Sequence, residues 1–172
     1  MKHLAFSTPL GFVWVRVQEG RVVQVRLGGR APAGVPADPS DPQIARISRA
    51  FSLYLFSADP ERRREGWHLL QQVPVDLATV PPTYRRILET LRRTVPFGRL
   101  VTYGELARRA GTHPRVVGRA MARNPVPILV PCHRVVSARG PGGFTPGLHW
   151  KRYLWQLEAI KTPGAAGPAA RD

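Results

Sequence analysis

Cysteine is almost absent from this sequence: Cys132 is the only one among 172 residues. A single thiol excludes an internal disulfide and any zinc site built from several thiolates. Long apolar runs are missing too, because no stretch approaches the ~20 residues of a membrane span and residues 1–9 lack the pattern of a signal peptide. We therefore expect a cytoplasmic protein with no membrane partner, no metal site and no cofactor.

Acidic residues are scarce as well, with 11 Asp and Glu against 26 Lys and Arg and a formal net charge of +15. Residues 81–172 hold 16 Lys and Arg against 4 Asp and Glu, whereas residues 1–80 hold 10 against 7. A basic field concentrated in one half favours a polyanionic partner, nucleic acid first and an anionic membrane surface second. Coding bias is the alternative, since 23 of the 26 basic residues are Arg.

The first half of the chain has the patterns of a small sheet followed by a helix. β-branched and apolar residues predict strands over residues 3–7, 12–17 and 21–27. Asp41 and Pro42 predict a helix start, as cap and first-turn residue. The charged stretch 59–65 predicts a loop that ends this helix.

The proline pair at residues 81–82 predicts a domain boundary. We expect an N-terminal α/β domain over residues 1–80 and a C-terminal domain over residues 81–160. The Ala-, Gly- and Pro-rich residues 161–172 predict a disordered tail.

Two short helices joined at a glycine make a helix-turn-helix candidate in the second half. Thr102 and Glu105 form a capping box that opens the first helix, and Gly111 ends it. Thr112 is the expected cap of the second helix, with Pro114 in its first turn.

Three arginines at four-residue spacing, Arg115, Arg119 and Arg123, line one face of this second helix. This face could contact the phosphates of a nucleic acid, although an ordinary solvent-exposed face gives the same pattern.

Cys132 stands in an apolar, proline-bracketed run, beside His133 and Arg134. Read as a strand, the run points neighbouring side chains to opposite faces, so a direct Cys132–His133 pair needs a bend or a bridging water. Cationic neighbours would lower the pKa of the thiol and favour the nucleophilic thiolate. From these residues alone, a reactive thiol and a buried structural cysteine are equally compatible.

Over residues 83–158 the sequence resembles the O6-alkylguanine-DNA alkyltransferase family. The resemblance rests on the order and spacing of these segments: Thr102-Tyr103-Gly104-Glu105-Leu106-Ala107, Arg115 to Met121, Asn124-Pro125-Val126-Pro127, Pro131-Cys132-His133-Arg134-Val135-Val136, Gly142-Gly143-Phe144 and Lys151 to Glu158. It implies an α+β fold, with a small N-terminal ribonuclease-H-like sheet-and-helix domain. The C-terminal domain would be mainly helical and hold the helix-turn-helix and the active-site cysteine.

The resemblance implies a DNA-repair activity. An alkyl group would move from O6-alkylguanine, with O4-alkylthymine as a second substrate, onto Cys132, and the protein would be spent in one turnover. The partner would be double-stranded DNA with the damaged base flipped out of the stack, and the protein would act as a monomer. One rival is a lesion-recognition protein of the alkyltransferase-like type, against which Cys132 argues because the acceptor position there is not cysteine. Another is a cysteine hydrolase, which leaves the basic helix-turn-helix unexplained.

Residue roles are implied by the same matches. The catalytic set would be the acceptor Cys132, the water-mediated base His133 that keeps it as thiolate, the supporting Glu158, the proton donor Tyr103 and the bracing Asn124. The substrate-binding set would be Pro127, Val135, Phe144, Thr145 and Lys151. The DNA-binding set would be Thr102, Arg115, Gly118, Arg119, Ala120 and Arg123, with Arg115 filling the gap left by the flipped base.

Two positions depart from the family pattern. Arg119 stands where many members have a small residue on the face that enters the minor groove. The loop Gly143-Phe144-Thr145-Pro146-Gly147 replaces a usual Gly-Tyr-Ser-Gly-Gly, so that Thr145 keeps a hydroxyl while Phe144 loses one and Pro146 stiffens the loop.

Overall fold

A computed structural model of the chain describes residues 1–161. The predicted disordered tail, apart from Lys161, lies outside the described residues. The strands are β1 Lys2–Thr8, β2 Gly11–Gln18, β3 Arg21–Leu27, β4 Val35–Pro36, β5 Val101–Thr102 and β6 Val135–Val136. The α-helices are α1 Pro42–Phe56, α2 Pro60–Gln72, α3 Pro82–Thr94, α4 Tyr103–Ala110, α5 Pro114–Ala122 and α6 Leu148–Leu157. None of the helices within residues 1–161 is long and apolar enough to cross a membrane.

The chain divides into two compact units, the first ending at Leu77 and the second beginning at Ala78. The first is a four-stranded sheet of order β3-β2-β1-β4 with helices α1 and α2. The strands β1, β2 and β3 are antiparallel neighbours, and β4 pairs parallel to β1. Val13, Val15 and Val17 alternate along β2 on the buried face of this sheet.

Both helices of the first unit begin in the same way. Asp41 and Asp59 each accept a hydrogen bond from the backbone two residues on, and a proline follows each of them. The prediction at Asp41 is confirmed. The loop predicted over residues 59–65 is wrong, because Asp59 caps α2 and the charged residues form its first turns on the exposed side.

In the second unit α3, α4 and α5 pack on one another, α4 packs on the short strands β5 and β6, and α6 packs on the turn at Cys132. Thr102 caps α4 through Glu105 N, and Gly111, with φ +66°, ends it in the left-handed conformation that favours glycine. The reciprocal half of the predicted capping box is replaced, since the Glu105 carboxylate pairs with Arg108 and Arg109.

The helix α5 is capped by His113, whose Nδ1 accepts a hydrogen bond from Arg115 N at 3.3 Å. The predicted cap at Thr112 is therefore wrong by one residue. The proline at position 114 occupies the first turn as expected.

Candidate functional site

The lone cysteine follows a tight buried loop that Asn124 holds closed. Asn124 Nδ2 donates to Val130 O at 2.9 Å, and Val126 N donates to Asn124 Oδ1 at 3.0 Å. Ile128, between them, is fully buried at φ +75°, a conformation that a β-branched residue adopts only when its surroundings impose it. Asn124 also hydrogen-bonds the Cys132 side chain, so one amide fixes both the loop and the thiol.

Cys132 opens a 3-10 turn that runs to Arg134 and leads into β6. The chain therefore bends at the cysteine and becomes a strand only from Val135. The turn separates the Cys132 side chain, which faces Asn124, from the side chains of His133 and Arg134, which both reach Glu158. The strand β6 then pairs parallel with β5, which holds the turn beside the start of α4.

A buried carboxylate joins the other two side chains of this turn. Glu158, at the end of α6, accepts a hydrogen bond from His133 Nε2 at 2.5 Å and another from Arg134 Nε at 2.8 Å. The Oε1 atom of Glu158 also accepts a hydrogen bond from Gly98 N at 3.0 Å. Arg134 Nη1 donates a hydrogen bond to Val95 O at 2.9 Å. All three side chains are buried, so the Arg134–Glu158 ion pair and the His133–Glu158 hydrogen bond are shielded from water.

The charges of this cluster fix the protonation states. Burial raises the pKa of Glu158, but the attraction of His133 and Arg134 outweighs it and holds the carboxyl well below its usual range. Burial lowers the pKa of His133 more than Glu158 raises it, so the imidazole is neutral near pH 7. With Nε2–H bound to the carboxylate, Nδ1 is the ring nitrogen able to accept a proton, and it has no hydrogen-bond partner within residues 1–161.

Cys132 is 7% exposed, and its burial raises the pKa of the thiol to about 11, against the lowering effects of Asn124 and Lys151. The cation Lys151 does act to lower the thiol pKa, but desolvation of a thiolate outweighs it, so the predicted net lowering is wrong for this state. The thiol is protonated near neutral pH and needs a base when it reacts.

Lys151 reaches from α6 into the segment that follows the cysteine. Its Nζ donates to Val135 O at 2.7 Å, Pro141 O at 2.6 Å and Gly143 O at 3.0 Å. No carboxylate is among these acceptors, and burial lowers the pKa of Lys151 to about 8. The ammonium thus ties three points of the segment 135–143 to one helix.

Tyr103, the first residue of α4, faces the same segment. Gly143 N–H donates to its hydroxyl, and burial followed by the proximity of Cys132 raises its pKa, so the phenol keeps its proton. A side chain on Gly142, at φ +71°, would meet the Tyr103 hydroxyl at 2.8 Å. Glycine is required at position 142 because the ring lies against the loop backbone.

The remaining substrate-binding candidates differ in exposure. Val135 and Pro127 are buried, and the Val135 carbonyl oxygen already accepts a hydrogen bond from Lys151 Nζ. The ring of Phe144 is partly exposed, with Lys151 Nζ 5.9 Å from its centroid, while Thr145 is exposed. The predicted residues Cys132, His133, Glu158, Asn124, Lys151 and Tyr103 are joined by direct contacts or by shared loop segments.

The predicted DNA-binding residues lie on α5, at its C-terminal cap Arg123, which precedes Asn124, and at Thr102, which precedes Tyr103. Arg115, Arg119 and Arg123 are exposed, and Arg123 lies over the ring of Tyr84 at 5.9 Å. Nothing lies within 4 Å of the position that a side chain on Gly118 would take.

Two of the predicted DNA-binding residues are less accessible than these arginines. Ala120 is fully buried, which contradicts its predicted contact with DNA, because its methyl group packs into the core of the unit. Thr102 is partly exposed and spends its hydroxyl on the cap of α4.

Sequence reasoning assigned no role to Arg134, Gly98 or Trp155. Arg134 and Gly98 hold Glu158, and Trp155 Nε1 donates to His133 O at 2.7 Å. Adjacency to Cys132 and His133 was a usable signal for Arg134. Within residues 1–161, no three His, Cys, Asp or Glu side chains gather into a group that could hold a metal ion.

Residues 82–160 match the family described as 6-O-methylguanine DNA methyltransferase, DNA binding domain. A Saccharolobus islandicus protein named methylated-DNA–protein-cysteine methyltransferase is 38% identical over 158 residues, which cover 92% of this chain and 95% of the relative. A Methanopyrus kandleri protein of the same name is 48% identical over 113 residues, covering 62% of this chain and 81% of the relative.

Among solved structures, the chain is similar to Mycobacterium tuberculosis OGT in complex with DNA. The TM-score is 0.67 at 26% identity, with 99% of this chain and 97% of that chain covered. The mixed α+β architecture is therefore shared with a DNA-bound protein.

Proposed function

The chain belongs to the methylated-DNA–protein-cysteine methyltransferase family, and we propose that it repairs DNA by moving an alkyl group from O6 of guanine onto Cys132. O4-alkylthymine is the second substrate. The thiolate sulfur forms a bond to the alkyl carbon, the bond from that carbon to O6 breaks, and its electron pair stays with the guanine. The thioether has no leaving path, so each chain acts once.

The joined cluster of His133, Glu158 and Arg134 beside Cys132 is the observation that carries this proposal. A neutral thiol attacks saturated carbon poorly, and this one has a raised pKa. His133 Nδ1 takes the thiol proton through a bridging water, and the resulting imidazolium is stabilised by the Glu158 carboxylate. The base acts during the reaction instead of maintaining a resting thiolate.

The other site residues hold the guanine. Tyr103 keeps its proton because burial raises its pKa, and it donates that proton toward the departing base so that guanine leaves neutral. The second lone pair of the Val135 carbonyl, with the carbonyl near Cys132, accepts the guanine amino group. Thr145 reaches O6, and Pro127 and Phe144 line the alkyl pocket.

The helices α4 and α5 act as a helix-turn-helix that docks in the minor groove of duplex DNA. The thiolate cannot reach O6 in line while the base is stacked, so the damaged nucleotide is flipped out. Arg115 enters the gap that the flipped nucleotide leaves in the duplex. Arg119 and Arg123 contact phosphates. Gly118 and Thr102 lie against the sugar-phosphate backbone of the DNA. The open space beside Gly118 supports this arrangement.

We assign DNA binding and alkyl acceptance to residues 81–160 of a monomer that works in the cytoplasm on DNA. Residues 1–80 form a ribonuclease-H-like domain whose sheet and helices support the fold.

Intact mass after mixing with a duplex that contains O6-methylguanine tests this function. We expect one methyl group per chain, located on Cys132 by peptide mapping, and none on Cys132→Ala. Turnover beyond one equivalent would contradict the single-use mechanism. Lesion-specific binding without an adduct would instead identify a recognition protein.

A further inference from the structure

The sheet of the first unit has one face that its helices do not cover. Along β2, the valines at 13, 15 and 17 are buried, while Phe12, Trp14 and Arg16 point to the opposite side. Phe12 is 43% exposed, and Trp14 and Arg16 are partly exposed. With His3 of β1 and Arg26 of β3, these residues define the outer sheet face.

The aromatic rings of the outer sheet face form a continuous row. The centroids of Phe12 and Trp14 are 5.0 Å apart, and those of Trp14 and His3 are 5.8 Å apart. Trp14 Nε1 donates to Gly29 O at 3.3 Å, which fixes the indole in place. A fixed aromatic ring on a strand offers a preformed stacking surface at small entropic cost.

Small residues on β1 leave the β1 side of these rings uncovered, whereas Arg26 of β3 lies opposite Trp14 on the other side. Ala5 lies opposite Trp14 and Ser7 lies opposite Phe12 in the register of β1 and β2, and both are exposed. A longer side chain at either position would cover its partner across the strands, since such pairs lie about 5 Å apart.

The charge of this face has one sign. Arg26 lies opposite Trp14 on the other side, and Arg16 lies between His3 and Gln24. Arg16 Nη1 donates to Gln24 Oε1 at 3.1 Å and Arg26 Nη1 to Arg30 O at 3.2 Å, so both guanidinium groups have neutral partners. The strands β1, β2 and β3 contain no Asp or Glu.

We propose that the outer sheet face binds single-stranded DNA, with bases stacked on Phe12 and Trp14 and phosphates bound by Arg16 and Arg26. Open aromatic rings on a strand, flanked by basic side chains, are the combination with which proteins hold unpaired strands without reading their sequence. The uniform positive charge of this face favours a polyanionic strand over a second copy of this chain, whose formal net charge is +15. The choice of DNA over RNA rests on the proposed function, whereas the stacking site itself lies in a different unit from Cys132.

Tryptophan fluorescence gives a direct readout of this face. Trp67, Trp150 and Trp155 are at most 2% exposed, which leaves Trp14 as the accessible indole among the four in the sequence. Titration of the full chain with oligo(dT) should quench part of the emission saturably, and Trp14→Phe should remove that quenching. Quenching that is unchanged in Trp14→Phe, or absent from the wild type, would overturn the proposal.

Variants of the face then test its two chemistries. Phe12→Ala should weaken binding to the Trp14 site roughly five- to 150-fold, as loss of one stacked base does. Arg16→Gln and Arg26→Gln should weaken it and reduce its salt dependence. Phe56→Ala and Arg49→Gln are matched controls, because these exposed residues lie on helix α1 and should leave the affinity unchanged.

Three outcomes would contradict the proposal. Equal losses in the controls would make the effect nonspecific, and tighter binding of oligo(rU) than of oligo(dT) would identify RNA as the ligand. Self-association that depends on Phe12 while oligo(dT) binding does not would identify a second copy of the chain. Adduct formation on Cys132, measured in the same variants, should be unaffected, so failure here is distinguishable from failure of the proposed function.

Discussion

Buried ionisable side chains meet in two separate arrangements around Cys132. In one, Glu158 has a cationic partner in Arg134 and a hydrogen-bonded partner in His133. In the other, Lys151 is surrounded by neutral carbonyls. The first arrangement keeps its charges at all ordinary pH values, whereas the second loses its proton when the pH rises, because burial of an unpaired ammonium is costly.

Stability between pH 8 and pH 11 should report on Lys151 and Cys132 with opposite signs. Lys151 has an ordinary pKa of 10.5 and a folded value of about 8, so the unfolded chain binds more protons between these values and stability rises with pH. Cys132 has an ordinary pKa of 9.0 and a folded value of about 11, so stability falls over that interval. Each proton contributes a slope of at most about 1.4 kcal/mol per pH unit.

Urea unfolding at a series of pH values separates the two groups. The wild type should gain stability from pH 8 to 9 and then level off, while Cys132→Ala should continue to gain until about pH 10.5. Lys151→Met should lose stability above pH 9. Parallel curves for all three proteins would show that neither group changes its pKa on folding.

Arg115 is exposed at the start of α5. In the proposed function it fills the gap left by the flipped base and takes no part in the chemical step. Unstacking a base costs a few kcal/mol, and a guanidinium in the vacancy offsets part of that cost only while a duplex is present. Arg115→Ala should slow repair of a duplex lesion roughly ten- to a hundredfold, equivalent to about 1.4 to 2.7 kcal/mol.

The rate with free O6-alkylguanine base is the control for this variant and should stay nearly unchanged. Both rates falling together would mean that Arg115 supports the fold. If neither fell, the residue would be an ordinary surface arginine.

At the scale of elements, the loop between β6 and α6 is held by its contacts with Tyr103 and Lys151. A methyl group on Gly142 would lie 2.8 Å from the Tyr103 hydroxyl and would require φ +71° of an ordinary residue. Gly142→Ala should therefore displace the loop or the phenol and slow alkyl transfer about ten- to a hundredfold, as small displacements of positioning groups do.

Gly143→Ala is the matched control for this substitution. Nothing lies within 4 Å of its added methyl group, and the backbone groups that bind Tyr103 and Lys151 are retained. Single-turnover rates of the two variants should differ by about tenfold or more. Equal rates would show that the loop tolerates displacement and that Tyr103 needs no support from it.

Helix ends were predictable from the sequence where a capping residue and an apolar period coincided, as at Asp41 and Thr102. The start of α2 was missed, although Asp59 carries the same signal as Asp41, because a run of charges hid the few buried positions of that helix. The turn at Cys132 could not be predicted locally. Its shape depends on Glu158, which is 25 residues from His133 and 60 from Gly98 along the chain.

The resemblance of the motifs singled out Cys132, His133 and Glu158, because it compares the order of side chains and needs no knowledge of local geometry. The structure joins His133, the neighbour of Cys132, to Glu158, while the roles of the three residues stay proposals. The resemblance did not predict that the pKa of the Cys132 thiol is raised. That shift follows from the burial of Cys132, which becomes evident only in the folded chain.

At the scale of the whole molecule, the charge is divided unevenly between the two parts of the sequence. Residues 81–172 carry 16 Lys and Arg against 4 Asp and Glu. A duplex bound by this half releases counterions for each phosphate neutralised, so the affinity should fall steeply as salt increases. The first half, with 10 basic against 7 acidic residues, should contribute little to that slope.

Single arginine substitutions test how many phosphate contacts the protein makes. Arg119→Gln and Arg123→Gln should each reduce the slope of log affinity against log salt by about 0.9, because each removes one phosphate contact. Arg49→Gln in the first unit, also exposed but paired with Glu65, should leave the slope unchanged. Fluorescence anisotropy of an undamaged duplex at several salt concentrations measures these slopes. An unchanged slope in Arg119→Gln and Arg123→Gln would refute the docking of α5 against the DNA backbone, because the net charge alone would then account for the binding.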